Sequence, residues 1–265
     1  MKLTFAALSA LPVILAATML PTAVQAADEP VAATTYNVGL VSDYRYRGIS
    51  QSRPKPALQG GADYSNPNGV YLGTWASTIQ WVKDAGTISA VDAGSTPLEI
   101  DLYGGYKGEI VKDLGYDVGA LYYLYPGNKI GNVPGASNAN TLELYGALTY
   151  GLFTVKYSHS VTNLFGAGGS AGAPNSKGSG YLELGASFDL GNGWSVAPHV
   201  ARQSIKHYSA ASYTDYSLTL GKDLGNGLSL SAALVGTDAD KTLYVTPAGK
   251  FTGKDALVLG AKYSF

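Results

Sequence analysis

Turn-forming residues punctuate this chain at two alternating spacings, and no other feature limits its fold as much. Runs with apolar residues at every second position occupy 35–49, 56–64, 70–81, 98–107, 115–125, 141–150, 152–160, 180–190, 194–205, 214–224, 228–237 and 255–265. A period of two marks a strand with one apolar face. Short turns near Asn68, Asp113, Gly151, Asn192 and Asn226 alternate with longer loops near Arg53, Ala90, Pro134, Gly172, Ser209 and Thr246. Twelve strands joined in this way carry every short turn at one end and every long loop at the other. This layout predicts an all-β chain: a single transmembrane antiparallel up-and-down β-barrel with short periplasmic turns and longer external loops. A soluble sandwich has no reason to sort its connections by length.

The terminal strand supports the same reading. Leu257, Leu259, Ala261, Tyr263 and Phe265 share one face, and Ala256, Val258, Gly260, Lys262 and Ser264 the other. In an outer-membrane barrel the last strand pairs with the first and places aromatics in the interfacial girdle. Tyr263 and Phe265 are therefore the expected assembly residues, read by the barrel-assembly machinery. In the first run Tyr36, Val38, Leu40, Tyr44 and Tyr46 are expected on the apolar face, opposite Asn37, Asp43, Arg45 and Arg47.

The N-terminus reads as an export signal. Lys2 is followed by an apolar stretch to Leu20, a break at Pro21, and small residues at Val24 and Ala26 where a signal peptidase would cut. The expected organisation is a cleaved signal over 1–26, a periplasmic leader over 27–34 and a barrel over 35–265. No later apolar run is long enough for a membrane helix. The chain has no cysteine, which excludes disulfides, thiolate metal sites and lipid anchoring through a cysteine. A net charge of −1 offers no attraction to nucleic acid.

Charges fall on the phase opposite the apolar one: Asp43, Arg45, Arg47, Asp63, Glu99, Asp101, Lys107, Asp117, Glu143, Lys156, Glu183, Asp215 and Lys262. A lipid-facing Arg or Lys at mid-depth costs roughly 2–4 kcal/mol, so this set is expected to line the lumen. Arg45 and Arg47, two apart on one face, are expected to pair with carboxylates across it. Catalysis finds no support. The serine and histidine of Ser158-His159-Ser160 would point to opposite sides of a strand and cannot form a nucleophile–base pair. The three histidines are scattered, Glu99 and Asp101 alone make no metal site, and neither metal nor cofactor is expected.

The stretch Ser42-Asp43-Tyr44-Arg45-Tyr46-Arg47-Gly48-Ile49-Ser50-Gln51-Ser52 resembles the TorF-type porin-like family of proteobacterial outer membranes. The likeness continues through Pro56-Ala57-Leu58-Gln59-Gly60-Gly61 and Asp63-Tyr64. It extends over Gly69-Val70-Tyr71-Leu72-Gly73-Thr74-Trp75-Ala76-Ser77 and Glu99-Ile100-Asp101-Leu102-Tyr103-Gly104-Gly105-Tyr106. The resemblance is specific in the first third and diffuse beyond it. It implies an outer-membrane barrel with a passive transport role and brings no substrate or catalytic residue. The expected function is a porin-like channel for small polar solutes or ions, monomeric or weakly oligomeric, in contact with outer-membrane lipids and lipopolysaccharide. A non-conducting barrel acting through its loops is the first alternative, and a barrel enzyme the second.

Overall fold

The computed structural model describes residues 32–265. The expected export signal and the leader up to residue 31 lie outside the described residues. The alternating runs form the strands β1 (Ala33–Val41), β2 (Ala57–Ser65), β3 (Val70–Thr78), β4 (Leu98–Val111), β5 (Leu114–Leu124) and β6 (Thr141–Tyr150). They continue with β7 (Phe153–Ser160), β8 (Gly180–Ala186, resuming as Phe188–Gly191 after a break at Ser187), β9 (Trp194–Ser204), β10 (Tyr213–Asp223), β11 (Leu228–Thr237) and β12 (Ala256–Ser264). Every strand pairs antiparallel with its sequence neighbours. β1 pairs β12 as well, with Asn37 opposite Ser264 and Val41 opposite Gly260, so the twelve strands form a closed ring.

Closure follows from backbone chemistry. Each strand leaves N–H and C=O groups along both edges, and only a ring gives every edge a partner. At the seam the Phe265 N–H donates to the Tyr36 carbonyl and the Tyr36 N–H to the Phe265 carbonyl, at 2.9 and 2.8 Å. The Phe265 ring stacks on Tyr36 and Tyr263 with centroids 5.9 and 5.7 Å apart.

The outer wall carries the apolar phase, with Val38, Leu40, Leu58, Leu72, Leu102, Val118, Leu144, Val155, Leu184, Val200, Leu218, Leu234 and Leu259 exposed on it. The inner wall carries the other phase, and its burial changes along the axis. Near the short turns the inward Asn37, Asp63, Lys107, Asp117, Lys156, Ser231 and Lys262 are half-buried. Near the long loops the inward Ser77, Glu99, Thr141, Ser160, Tyr181 and Gln203 are buried. Charged groups of the inner wall are thus more deeply buried towards the loops, while in the short-turn half Tyr71, Tyr103 and Tyr145 are buried beside half-buried charges.

Two expectations are corrected. The first strand stops at Val41 rather than Ile49, and begins at Ala33, inside the expected leader. Val41 is the last residue of this strand with ladder partners, Ala57 on one side and Gly260 on the other. The residues after it turn inward: Tyr44 is fully buried and Tyr46 half-buried, so neither joins Val38 and Leu40 on the outer wall. The third strand ends at Thr78, and Trp81 instead opens the helix α1 (Trp81–Ser89) within the loop that follows. α1 buries Val82 and Gly86, one turn apart, and sets the Trp81 ring edge-on to Tyr125 at 5.0 Å. It closes on Ala90 in the left-handed conformation.

The outer wall gives a direct test. Leu144→Arg places a charge midway along β6, and the expected loss is about 2–4 kcal/mol of folding free energy in a bilayer. Urea unfolding of barrels refolded into lipid vesicles measures it. An unchanged midpoint would mean that this wall does not face hydrocarbon.

Candidate functional site: an arginine hairpin inside the barrel

Residues 42–56 connect β1 to β2 and fold into the lumen. Arg45–Tyr46 and Ile49–Ser50 pair as a minimal hairpin, with Arg45 opposite Ser50 and Tyr46 opposite Ile49. Its two central residues, Arg47 and Gly48, have φ of +48° and +79°. Positive φ at both positions is the signature of a type I′ turn, one of the two-residue turns whose twist matches the strands. Glycine is the only residue that fits at position 48, because a β-carbon there would overlap Thr237 and Asp215. For Arg47 the left-handed conformation costs roughly 1–3 kcal/mol and persists only where surrounding contacts hold it.

Those contacts converge on the guanidinium. Arg47 Nη2 donates to Glu143 Oε2 and Nη1 to Gln203 Oε1, each at 2.6 Å. Its Cζ lies 4.1 Å from the centre of the Tyr181 ring and 4.8 Å from that of Tyr46. Arg47 thus spans from β6 to β8 and β9 across the lumen. Burial works against its charge, but the Glu143 carboxylate more than offsets this and holds the guanidinium well above its ordinary pKa.

Other bonds fix the hairpin's base. Arg45 Nε donates to Asp43 Oδ2 at 2.7 Å, and its Nη1 to the carbonyls of Gly48 and Lys254 at 3.0 and 2.7 Å. The Asp43 Oδ1 accepts from the hydroxyls of Ser50 and Ser52 at 2.6 and 3.2 Å. The Tyr44 hydroxyl donates to Glu99 Oε1 at 2.5 Å, and the Tyr46 hydroxyl meets that of Tyr123 at 2.6 Å. Arg53 pairs with Asp84 of α1, tying the segment to the helix above it.

Carboxylates outnumber cations at the level of the hairpin. Glu99, Asp101 and Glu143 are buried on β4 and β6, and Asp101 Oδ1 has no hydrogen-bond partner among the described residues. On the far wall His199 stands between two acids, with Nε2 3.5 Å from Glu183 Oε2 and Nδ1 3.7 Å from Asp215 Oδ1. Asp215 accepts from the Tyr181 hydroxyl at 3.0 Å. Towards the short turns, Lys156 lies 3.9 Å from Glu183 and 4.5 Å from the Tyr145 ring centre. Tyr71 donates to Asp117 at 2.5 Å, Tyr103 to Asp63, and Lys107 lies 5.7 Å from the Tyr71 ring. Lys262 of β12 sits on this same inner wall, beside Gly39 of β1.

The charged residues read from the sequence occupy two levels. Asp63, Lys107, Asp117, Lys156 and Lys262 stand in the half nearer the short turns, and Glu99, Asp101, Glu143, Glu183 and Asp215 lie nearer the hairpin. Asp43, Arg45 and Arg47 belong to the inserted segment rather than to a strand. His159 is exposed on the outer wall while Ser158 and Ser160 point inward, so no nucleophile–base pair forms there. Tyr44, Tyr46, Tyr181, Gln203 and His199 complete the site and were not among the expected lumen residues. The length of the first run and Gly48 inside it were the available signals.

Comparison with known proteins gives a family and a fold. The chain belongs to the family described as bacterial protein of unknown function (Gcw_chp), whose model matches residues 24–265. No curated protein matches it in sequence. Among solved structures it is similar to the KdgM porin in complex with disordered oligogalacturonate, with a TM-score of 0.52 and 8% identity over 88% of this chain and 98% of that one. It is also similar to the NanC porin, with a TM-score of 0.52 and 10% identity over 87% and 99% of the two chains. At such identities the likeness is one of fold.

Removing one partner of the Arg47–Glu143 pair leaves the other charge buried. Arg47→Ala is expected to lower the unfolding free energy by about 3–5 kcal/mol, whereas Arg47→Met combined with Glu143→Gln loses much less. Urea unfolding in vesicles, with trypsin cleavage of the 42–56 segment as a local readout, separates the two. Equal losses in both variants would mean that the pair does not hold the hairpin.

Proposed function

We propose that this protein is an outer-membrane porin-like channel for passive diffusion of small polar solutes or ions, with the inserted hairpin setting its narrowest point. The observation that carries this reading is a closed ring of strands with an apolar outer wall and an inner wall of charges, crossed by one arginine. Water-excluded pairs alone would suffice to pack a barrel, yet Asp63, Lys107, Asp117, Lys156 and Lys262 stay half-buried on the inner wall. The fold shared with porins and the resemblance to the TorF-type family support the same conclusion. In this setting the short turns face the periplasm, the long loops face outside, and a signal over 1–26 delivers the chain. Tyr263 and Phe265 offer the assembly machinery its C-terminal handle.

At the narrow level Asp43 and Arg45 cancel each other. Arg47 then faces Glu99, Asp101, Glu143, Glu183 and Asp215. This balance favours neutral or cationic solutes over a polyanion such as the oligogalacturonate held in the KdgM structure. Field and geometry at a constriction decide what passes.

A second reading has its own observation. The residues around the hairpin are nearly all buried, from Ser160 and Thr141 at 0% exposure to Arg47 at 8%. A barrel sealed at this level would act through its external loops. Nothing in the site assembles a nucleophile with a base, so a barrel enzyme has no comparable support.

Single-channel recording in planar bilayers under a salt gradient separates the readings. The expected result is discrete steps with a reproducible, weakly cation-selective reversal potential. Arg45→Ala with Arg47→Ala frees carboxylates and shifts that potential further towards cations. Replacing residues 43–52 with a short Gly/Ser linker raises the conductance at least about twofold, since an inserted segment narrows a lumen of this size. Silence from both the native protein and the linker variant, with folding verified, would leave the non-conducting barrel.

A further inference from the structure

The outer wall of the barrel carries few charges: Lys222 over Trp194 at the short-turn end, Asp238 and Asp255 at the loop ends of β11 and β12, and a group of cations in one sector. Along the outward faces of β1 to β6 no charged side chain stands among the described residues; the outward phase there is Leu, Val, Ile, Ala, Gly, Thr and Tyr. On β7 to β9 the pattern changes near the loop end. Arg202, Ser204 and Lys206 succeed one another at every second position, all exposed, as β9 runs into its loop. His159 faces outward on β7, and the ladder places it and Ser204 on either side of Gly180. Exposed Lys177 precedes Gly178 in the loop between β7 and β8.

Two of these groups, Lys206 and His159, converge. A β-carbon on Gly178 would lie 3.4 Å from Lys206 Nζ and 3.8 Å from His159 Cε1, which places both side chains over the same spot. Two loops are clasped to hold it. The Lys206 N–H donates to Ser179 Oγ at 3.1 Å, His207 Nδ1 meets the Asn175 carbonyl at 2.7 Å, and the Tyr208 hydroxyl donates to the Pro174 carbonyl at 2.6 Å. Arg202 donates to Thr214 Oγ1 at 3.2 Å and has Asp238, at 4.0 Å, as its counter-charge among the described residues. Directly towards the barrel waist the same wall continues as Tyr157, Leu182, Leu184, Val155 and Val200, all exposed and all but Tyr157 wholly apolar.

A cationic cluster above an apolar strip matches one chemistry: an anionic headgroup whose acyl chains run down the strip. Lys and Arg stems cover apolar surface while their heads stay at the polar boundary, where a charge costs little. We infer that the Lys177–Lys206–Arg202 sector, with His159 at its base, is a binding site for the phosphate of a phosphorylated glycolipid in the outer leaflet. Charge-assisted bonds from two lysines and an arginine hold the phosphate, and the strip from Tyr157 to Leu184 receives the chains. The inference rests on the outer-membrane reading, because only there do the long loops meet such a leaflet.

The test is native mass spectrometry of the refolded full barrel with bisphosphorylated lipid A, its dephosphorylated form, or inorganic phosphate. The expected result is retention of the phosphorylated lipid at least about tenfold above the dephosphorylated one, consistent with a few charge-assisted bonds. A Lys177→Gln/Arg202→Gln/Lys206→Gln variant loses that preference, whereas Lys222→Gln, at the short-turn end of the same wall, keeps it. Equal retention of the two lipids, or a triple variant that still discriminates, overturns the site. Inorganic phosphate displacing the lipid at equal concentration would make it a free-phosphate site instead and also overturns it. If the triple variant does not fold, as judged by heat-modifiable gel mobility, a salt titration of the native barrel decides. Loss of the preference by 0.5 M salt supports ionic recognition, and its persistence refutes it, because the Debye length there is only about 4–5 Å. A barrel that conducts but does not discriminate refutes this inference alone, and a silent barrel that discriminates refutes only the channel.

Discussion

The structure depends on one constraint: the backbone hydrogen bonds between β1 and β12 must close the ring. In hydrocarbon an unpaired strand edge costs several kcal/mol for each orphaned group, so an open sheet of these strands has no stable place in a membrane. Closure fixes which side chains face out and which face in, because a slip of one residue would reverse every face at once. Leu257, Leu259 and Tyr263 point outward, and Val258 and Lys262 inward, because Gly39 meets Lys262 and not its neighbours. The same closure creates an interior in which buried charge is met by an opposite charge, as Glu143 is by Arg47, or by a hydroxyl, as Glu99 is by Tyr44.

Inside, arginine and tyrosine do what leucine does in a soluble core. Arg47, Glu143, Gln203 and Tyr181 interlock through short bonds and one cation–π contact, and Tyr44, Tyr46, Tyr123 and Tyr125 fill the space beside them. Tyrosine suits this place because its ring packs against apolar neighbours while its hydroxyl finds a carboxylate. In the short-turn half the same residue types pair as Tyr71 with Asp117 and Tyr103 with Asp63, and the charges there stay half-buried. One sequence alphabet thus serves both sections, and what separates them is whether a loop has entered.

Much of this was legible in the alternation of apolar residues and in the lengths of the connections. Period-two runs such as Leu98–Lys107 or Gly180–Ala186 determine a strand and its faces locally, and the order of short and long turns determines the topology. The inserted hairpin was hidden for a physical reason. Tyr44 and Tyr46 continue the even phase of Tyr36, Val38 and Leu40, so a pattern reading carries the strand on to Ile49. What diverts the chain is tertiary: Glu99, Tyr123 and Glu143, distant in sequence, accept or meet those hydroxyls and the guanidinium. The helix Trp81–Ser89 was hidden likewise, since a nine-residue helix with a glycine in it draws its stability from the wall against which it packs. His199 between Glu183 and Asp215 is a meeting of three strands that spacing along one of them cannot reveal.

The reach of the hairpin's bonds also sets the order in which the molecule can be built. Its anchors lie 96 residues away at Glu143, 156 at Gln203 and 209 at Lys254, so none is at hand when β1 and β2 first pair. Loop closure over such separations carries an entropic cost before any contact offsets it. The segment encoded second in the barrel is consequently the last to settle, after the wall has curled round to receive it. Until those distant strands are in place Arg47 has neither Glu143 nor Gln203 to bond, and Arg45 has only its neighbours Asp43 and Gly48.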